Sequence, residues 1–326
     1  MAHVAAAGIA AAGLGLLGTV WVAAVTGDEA DGRIAAPEFA VACRPAAAPS
    51  PAFSRPIPPG AAIDVRSGQL VRGVVEAAAS KGFVLAVRRF TVPVYEASRD
   101  TPRRNVRLTA PWAPRRVLRS VPIPSSARPD PGSDGHLSIV DRETGCEYDF
   151  WQARRGPRGG WSASWGTRAA LGAGVLAGGL SARASGFSLQ AGLITPAELR
   201  RGEIDHALVF HYPYTRAGGF VPPATQSDGR SRRPDALPEG ARLQLDPALD
   251  LDELELEPYE RTIARALQRY GMLLGDTGGA VAVFASHPQG YGENAYAGLL
   301  PDEDFAPLGG IPLDRLRVLR LPRLRH

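Results

Sequence analysis

The sequence predicts a mainly β protein, an antiparallel β-sandwich or jelly roll with two or three short helices. Short segments rich in β-branched and aromatic residues recur along the chain, and 37 glycines and 29 prolines supply frequent turns. These segments do not alternate with long helices, which disfavours a doubly wound parallel sheet. With 326 residues, of which 44% are hydrophobic and 21% charged, the chain can bury a sizeable core.

The N-terminal region predicts export. Residues 4–25 are apolar and uncharged, and acidic residues follow at Asp28, Glu29 and Asp31. Such a run is typical of a signal peptide or of an N-terminal membrane anchor, and both interpretations stay open. We expect residues 1–27 to be this targeting segment, residues 28–62 to be a Pro- and Ala-rich linker, and residues 63–326 to be a single β-rich domain. The predicted location is extracellular or at the cell surface, with membrane contact only through the N-terminal segment.

The chain has two cysteines, Cys43 and Cys146. An exported protein folds in an oxidising compartment, where a disulfide between them would persist. It would close a loop of about a hundred residues and contribute on the order of 4 kcal/mol to stability. The alternative is two unpaired thiols.

Local patterns place the elements along the chain. Apolar residues at roughly helical spacing predict a short helix over residues 64–80. Thr195, Pro196 and Glu198 form a capping box that opens a second helix ending at Gly202. A third helix begins near Pro258 and carries an apolar stripe as far as Gly275. Strands are predicted at residues 83–94, 105–109, 117–120, 161–165, 185–193, 204–210, 281–286 and 316–321. The polar segment 218–240 is predicted to be a long loop of the kind that often lines a binding site.

The segment between Asp134 and Trp151 predicts a β-hairpin with two unlike faces. A loop from Arg142 to Gly145 fixes the register. The predicted pairs are Asp141–Cys146, Ile139–Tyr148, Ser138–Asp149, Leu137–Phe150 and His136–Trp151. Because side chains alternate along a strand, the core face carries Leu137, Ile139, Tyr148 and Phe150, and the opposite face carries His136, Ser138, Glu147, Asp149 and Trp151.

That second face predicts a catalytic site for carbohydrate. Glu147 and Asp149 lie two residues apart on one strand, so about 6.6 Å separates their Cα atoms, and glycoside hydrolysis uses two carboxyl groups about 5 to 9.5 Å apart. Trp151 offers a ring for a sugar to stack on, and His136 could orient or protonate the substrate. Ser138 is a further substrate-binding candidate. The competing interpretation is a solvated outer strand.

The string from Glu147 to Trp151 resembles the E-x-D-x-E or E-x-D-x-x-E strand of laminarinase-like and lichenase-like β-sandwich glucanases. The resemblance covers only five or six residues. It implies that Glu147 is the nucleophile and Asp149 its support, whereas Trp151 and Gln152 stand where the family has a third carboxylate, the acid/base. A retaining mechanism would then need a carboxylate from elsewhere, and we consider Asp205 and Asp276.

The strings DGHLSIVD, EYDFWQAR, GEIDHAL and RYGMLLGD also resemble uncharacterised exported bacterial β-rich proteins. The resemblance implies export and a β-rich fold, and it brings no activity with it.

Other residues give weaker signals. Asp205 and His211 fall on one face of a predicted strand and could be a base with its orienting carboxylate, so both are substrate-binding candidates. Asp276 is expected to make a turn after the third helix. A polysaccharide lyase, which needs a base and a group that neutralises a uronate, could use His136 with Arg154 or Arg155.

Several classes of protein are disfavoured. The chain lacks the G-x-S-x-G, G-x-x-x-x-G-K-[ST], H-E-x-x-H and C-x-x-C motifs, so no cofactor and no metal site is predicted. A net charge of +4 is weak evidence for nucleic acid, and no nucleic-acid partner is predicted. We expect an exported protein that acts on or binds a polysaccharide or cell-surface glycan. A glycoside hydrolase is favoured if it is an enzyme, and a non-catalytic glycan- or protein-binding β-sandwich is the alternative, with a polysaccharide lyase next.

Overall fold

The fold is mainly β, as the sequence predicts. The computed structural model describes residues 43–44, 48–113, 115–178, 181–292 and 294–326, so the predicted targeting segment lies outside the described residues. Within these ranges there are four α-helices, and none of the helices is long and apolar enough to cross a membrane. The helices are α1 (Pro51–Ser54), α2 (Ser67–Lys81), α3 (Pro196–Arg201) and α4 (Pro258–Arg269).

Fifteen strands are found in the described part of the chain. In chain order they are β1 (Phe83–Ala86), β2 (Val94–Ala97), β3 (Arg103–Leu108), β4 (Val117–Pro122), β5 (Leu137–Asp141), β6 (Cys146–Trp151), β7 (Arg154–Arg155), β8 (Trp161–Ala163), β9 (Trp165–Ala170), β10 (Leu208–Tyr212), β11 (Arg242–Leu245), β12 (Met272–Thr277), β13 (Val281–Phe284), β14 (Phe305–Pro307) and β15 (Leu316–Val318).

These strands form three sheets. Two have four strands each, in the orders β2-β5-β6-β9 and β4-β3-β8-β7, and the third has seven, in the order β14-β1-β13-β10-β12-β11-β15. The sheets are mixed and not purely antiparallel, because β1 pairs with β13, β10 with β12, β2 with β5 and β3 with β8 in parallel. Parallel pairing joins strands that are distant in sequence, and a local pattern cannot reveal it.

The two four-stranded sheets form a β-sandwich around one core. The predicted core face of the hairpin lies in it, and its side chains are at most 1% exposed. The opposite sheet contributes residues from β3, β4 and β8. The core contains Tyr95, Val106, Leu108, Leu118, Val121, Leu137, Ile139, Tyr148, Phe150 and Trp161.

The seven-stranded sheet is covered on both faces. Helices α2 and α4 pack on one face through Leu70, Val74, Ile263 and Leu267. The other face carries Val209, Leu273 and Phe284, and it packs against Phe187, Leu189 and Leu193 of a non-helical segment. The side chains of β10 therefore alternate between two cores, with Phe210 toward the helices and Val209 away from them.

The hairpin register is the one the sequence predicts. Strands β5 and β6 are antiparallel and pair Leu137 with Phe150, Ser138 with Asp149, Ile139 with Tyr148 and Asp141 with Cys146. The ladder between β5 and β6 ends at the pair of Leu137 with Phe150, so the predicted pair of His136 with Trp151 is wrong. On its other edge β6 pairs with β9, where Trp151 lies opposite Trp165.

Three other predictions of local structure are wrong. Residues 83–94 form two strands in different sheets, β1 and β2, because the chain turns at Phe90, where φ is 56°. Residues 185–193 form no strand. The third helix ends at Arg269 because Gly271 has a φ of 71°, and an added Cβ there would lie 2.3 Å from the carbonyl oxygen of Leu243. The capping box of α3 and its end at Gly202 are confirmed.

Residues 48–62 lie against the domain. The ring of Phe53 packs edge-on against Phe187 with 5.3 Å between centroids, and the backbone N–H of Ile57 donates to Arg269 at 2.8 Å. Before this segment, Cys43 is bonded to Cys146 at the start of β6, 103 residues further on, as predicted.

Breaking the disulfide should lower stability without changing the fold. Reduction, or Cys43→Ser, should cost about 4 to 5 kcal/mol of the free energy of unfolding, because a loop of about a hundred residues becomes free in the unfolded chain. Urea denaturation of oxidised, reduced and mutant protein measures this loss. Equal midpoints for all three would show that the bond contributes nothing.

Candidate active site

The polar face of the hairpin lies inside the protein. Glu147 is 1% exposed and Asp149 is 0% exposed. Asp149 accepts hydrogen bonds from the Ser138 hydroxyl at 2.6 Å and from the backbone N–H of Leu189 at 2.8 Å. Glu147 accepts from the Ser188 side chain and from the backbone of Gly172. Both carboxyl groups therefore bind the segment that covers them.

Burial decides the protonation of this pair. It raises the pKa of Glu147 well above the ordinary value, and the negative charge of Asp149 raises it further. Burial also raises the pKa of Asp149, but the hydrogen bonds from Ser138 and Leu189 and the charge of Arg183 oppose this shift. Glu147 is thus the partner that keeps its proton.

A cleft with two lobes lies next to this buried pair. The first lobe has a volume of about 610 Å³ and the second about 500 Å³. Four residues line both lobes and so stand where they join: Asp134, His136, Asp276 and Thr277. The first lobe is completed by three tryptophans, by residues 181–184, and by Gln226 and Asp228 from the long loop 218–240; the second lobe is completed by Lys81, His211 and apolar side chains that include Phe90, Phe284 and Phe305.

The hairpin places Asp134 and His136 at the junction. The backbone N–H of Gln152 donates to the carbonyl of Asp134 at 2.7 Å, and that of Ala153 donates to Gly135 at 2.9 Å, so the chain is held against the end of β6 just before β5 begins. Trp151 also donates a side-chain hydrogen bond to the Asp134 carboxylate. The carboxylate and the indole therefore enter the cleft together.

A β-bulge in β12 directs Asp276 into the cleft. Leu274 pairs with Phe210 of β10, but the next residue of β10, His211, pairs with Asp276, so Gly275 is the extra residue. Gly275 must lack a side chain because an added Cβ would lie 2.5 Å from Cγ1 of Val209. Asp276 consequently shares the cleft with His211 instead of joining Leu274 in the helix-side core.

Burial raises the pKa of both carboxyl groups at the junction. Burial raises the pKa of Asp276 to about 7; the charge of Arg183 opposes this, and the charges of Asp228 and Asp134 add to it. Burial also raises the pKa of Asp134, against the hydrogen bond from Trp151. Asp276 is therefore a carboxylic acid that exchanges its proton near neutral pH.

The two histidines of the cleft are neutral. Burial, together with the positive charge of Arg183, lowers the pKa of His136 to about 3 and that of His211 to about 4. The Nδ1 atom of each has no hydrogen-bond partner among the described residues. Each ring thus has one buried nitrogen without a partner.

Three carboxyl groups crowd together beside the junction. Asp228, Glu239 and Asp276 each have one oxygen within 4.8 Å of the other two, which is the spacing at which they could hold a metal ion. Glu239 is 0% exposed, and burial followed by the charges of Asp276 and Asp228 raises its pKa to about 10. Ser227 and Asp228 lie near it, but neither of its oxygens has a partner with hydrogen-bond geometry in the described chain. Protons on Glu239 and Asp276 relieve the repulsion within this group.

The structure divides the residues that the sequence singles out. His136, Trp151 and His211 line the cleft. Ser138 is buried between Asp149 and the Gln190 side chain, and Asp205 is exposed away from the lining residues. Neither Glu147 nor Asp149 lines the cleft, so their catalytic role stays a prediction.

Sequence reasoning missed the roles of Asp134 and Arg183. Asp276 was considered as a further carboxylate, but it was also expected to make a turn, which is wrong because it lies in β12. One signal pointed toward the site: the long loop 218–240, predicted to line a binding site, supplies Asp228 and Gln226.

Comparison with known proteins adds no relative: no family model, no curated protein and no solved structure matches the chain. The short resemblance to the glucanase strand therefore stays a prediction.

The buried hydrogen bonds of Asp149 should contribute to stability. Asp149→Asn keeps the size of the side chain but leaves one oxygen to accept from two donors, so about 1 to 3 kcal/mol of the free energy of unfolding should be lost. Chemical denaturation measures it. Asp205→Asn, at an exposed position, is the control and should change stability by less than about 0.5 kcal/mol. Equal effects of the two substitutions would contradict the assignment.

Proposed function

We propose that the protein is an exported glycoside hydrolase that binds a polysaccharide in the cleft, with Asp276 as the general acid and Asp134 as the second carboxylate. The observation that carries the proposal is the meeting of these two carboxyl groups and His136 at the junction of the two lobes. Glycosidic bonds are hydrolysed between a protonated and an ionised carboxyl group, and Asp134 and Asp276 are the two carboxyl groups that line both lobes.

The environments of the two carboxyl groups match these roles. A general acid must hold a proton at the working pH and release it to the leaving oxygen, which a pKa of about 7 for Asp276 allows. Burial raises the pKa of Asp134, and the hydrogen bond from Trp151 opposes this shift and favours the ionised form. Asp134 then acts as base or nucleophile, and the neutral His136 between the lobes hydrogen-bonds a sugar hydroxyl.

The aromatic lining suits a sugar. Trp112, Trp151 and Trp165 line the first lobe, and Trp112 is 67% exposed. The face of a pyranose ring is apolar enough to stack on an indole, while its hydroxyls require the polar partners that Gln226 and the aspartates supply. The exposed indole of Trp112 would contact a polysaccharide that extends out of the cleft.

The disulfide supports an extracellular location. A bond between Cys43 and Cys146 persists in oxidising compartments and is rare in the cytosol. Together with the apolar N-terminal run, it favours a substrate found outside the cell, such as a cell-wall or environmental polysaccharide.

Substitution of the two junction carboxyl groups tests catalysis directly. In a screen of purified protein against polysaccharides, Asp276→Asn and Asp134→Asn should each lower kcat by at least about 100-fold while binding persists, because general acid–base catalysis is lost. Asp100→Asn, at an exposed position outside the cleft, should keep full activity. Binding without turnover by the wild type would instead identify a non-catalytic glycan-binding protein, and unchanged turnover by both variants would rule out these residues.

The pH profile tests the acid. Activity should fall as the pH rises through about 7, because Asp276 loses its proton. Asp228→Asn removes a negative charge that raises the pKa of Asp276, so this alkaline limb should move to lower pH. Profiles recorded with a chelator keep metal ions from the neighbouring carboxyl groups. An alkaline limb that does not move, or that moves to higher pH, would contradict the assignment.

A further inference from the structure

We infer that the polysaccharide bound by the cleft is acidic and that Arg183 binds a uronate carboxylate on it. The inference rests on the proposed function in one respect, since it takes a glycan as the occupant of the cleft. It adds the substrate class and a binding residue that the hydrolytic pair does not require.

Arg183 is a buried cation with unused donors. It is 2% exposed and lines the first lobe. Its Nη2 donates to the carbonyl of Leu189 at 3.2 Å, whereas Nε and Nη1 have no partner among the described residues. A guanidinium carries five N–H donors, so most of the donors of this buried group lack a partner.

The surrounding segment holds Arg183 in place. Its backbone N–H donates to the Ser181 hydroxyl at 2.9 Å, and its carbonyl accepts from the Gln226 side chain at 3.3 Å. The guanidinium carbon stands 4.8 Å from the centre of the Phe284 ring, a cation–π contact that helps to hold the group in place. The side chain is therefore oriented before a ligand arrives, which lowers the entropy lost on binding.

The charge of Arg183 lacks a close counterion. Asp276, Asp149 and Glu239 act on it from a distance, and within the described ranges no carboxylate oxygen lies within 4.0 Å of it. Burial lowers its pKa, which reflects the cost of holding an unpaired cation away from water. A ligand anion would remove that cost by a charge-assisted hydrogen bond.

The chemistry of the first lobe favours a carboxylate on a sugar. Asp134, Asp228 and Asp276 line the same lobe, so an anion with one charge meets less repulsion there than a phosphate with nearly two. Trp151 and Trp165 line the lobe beside Arg183 and offer stacking for the ring that carries the carboxylate. A hexuronate residue meets both requirements, because it carries a singly charged carboxylate on a sugar ring.

The test compares acidic polymers with their neutral counterparts. Polygalacturonate, alginate and hyaluronan are each titrated into the full chain beside the same polymer with its carboxylates reduced to neutral hydroxymethyl groups. The wild type should bind at least one acidic form about 10-fold or more tightly than its reduced form, and added salt should weaken only the acidic form. Arg183→Gln should bring this ratio close to one while binding of the reduced polymer persists.

Two further variants keep the result interpretable. Arg104→Gln, at an exposed position outside the cleft, is the matched control and should leave the ratio unchanged. Arg183→Lys retains the charge and should keep part of the preference for the acidic polymer. It replaces Arg183→Gln in the test if melting curves show that Arg183→Gln does not fold. A ratio that is unchanged in both Arg183 variants overturns the inference.

The wild type alone separates the two proposals. Equal binding of acidic and reduced polymers overturns the assignment of Arg183 and leaves the proposed function standing. No binding to any polymer, acidic or neutral, overturns both. Tighter binding of dextran sulfate than of every uronate polymer also overturns the carboxylate assignment and identifies sulfate as the anion.

Discussion

The buried hydrogen bond from Leu189 to Asp149 is the interaction on which the site depends. Asp149 belongs to the β5–β6 hairpin, whereas Leu189 lies in the core that covers the seven-stranded sheet. This buried bond therefore joins the β-sandwich to the core of the seven-stranded sheet. Because Arg183 and Leu189 belong to one segment and are themselves hydrogen-bonded, the same carboxylate fixes a wall of the cleft.

Local patterns predicted the parts of this arrangement that depend on neighbours in sequence. Apolar alternation and a loop at Arg142 to Gly145 fix the hairpin register, since a slip of one residue would move Ile139 and Tyr148 out of the core. The capping box of α3 is likewise a contact between Thr195 and Glu198, three residues apart. Elements of this kind are determined by residues that are close together in the sequence.

The parts that failed depend on pairing across the chain. Residues 185–193 have the composition of a strand, but their polar backbone is satisfied in part by Asp149, about 40 residues away, so no ladder is needed. The sequence after Gly275 predicts that Asp276 makes a turn. In the structure, Asp276 pairs in parallel with β10, and the bulge at Gly275 directs its side chain into the cleft. Neither β10 nor the close approach of Val209 is visible from the sequence around Asp276.

The two carboxyl pairs differ in where their hydrogen-bond partners lie. Glu147 and Asp149 have the spacing of a catalytic pair, but their hydrogen-bond partners are backbone N–H groups and hydroxyls of the fold, and neither residue lines the cleft. Asp134 and Asp276 come from distant parts of the chain and face a cleft, where their remaining acceptor capacity is open to a ligand. A carboxyl group whose oxygens are bound by the fold holds other residues in place, whereas a half-buried one that lines a cleft keeps acceptor capacity for a ligand.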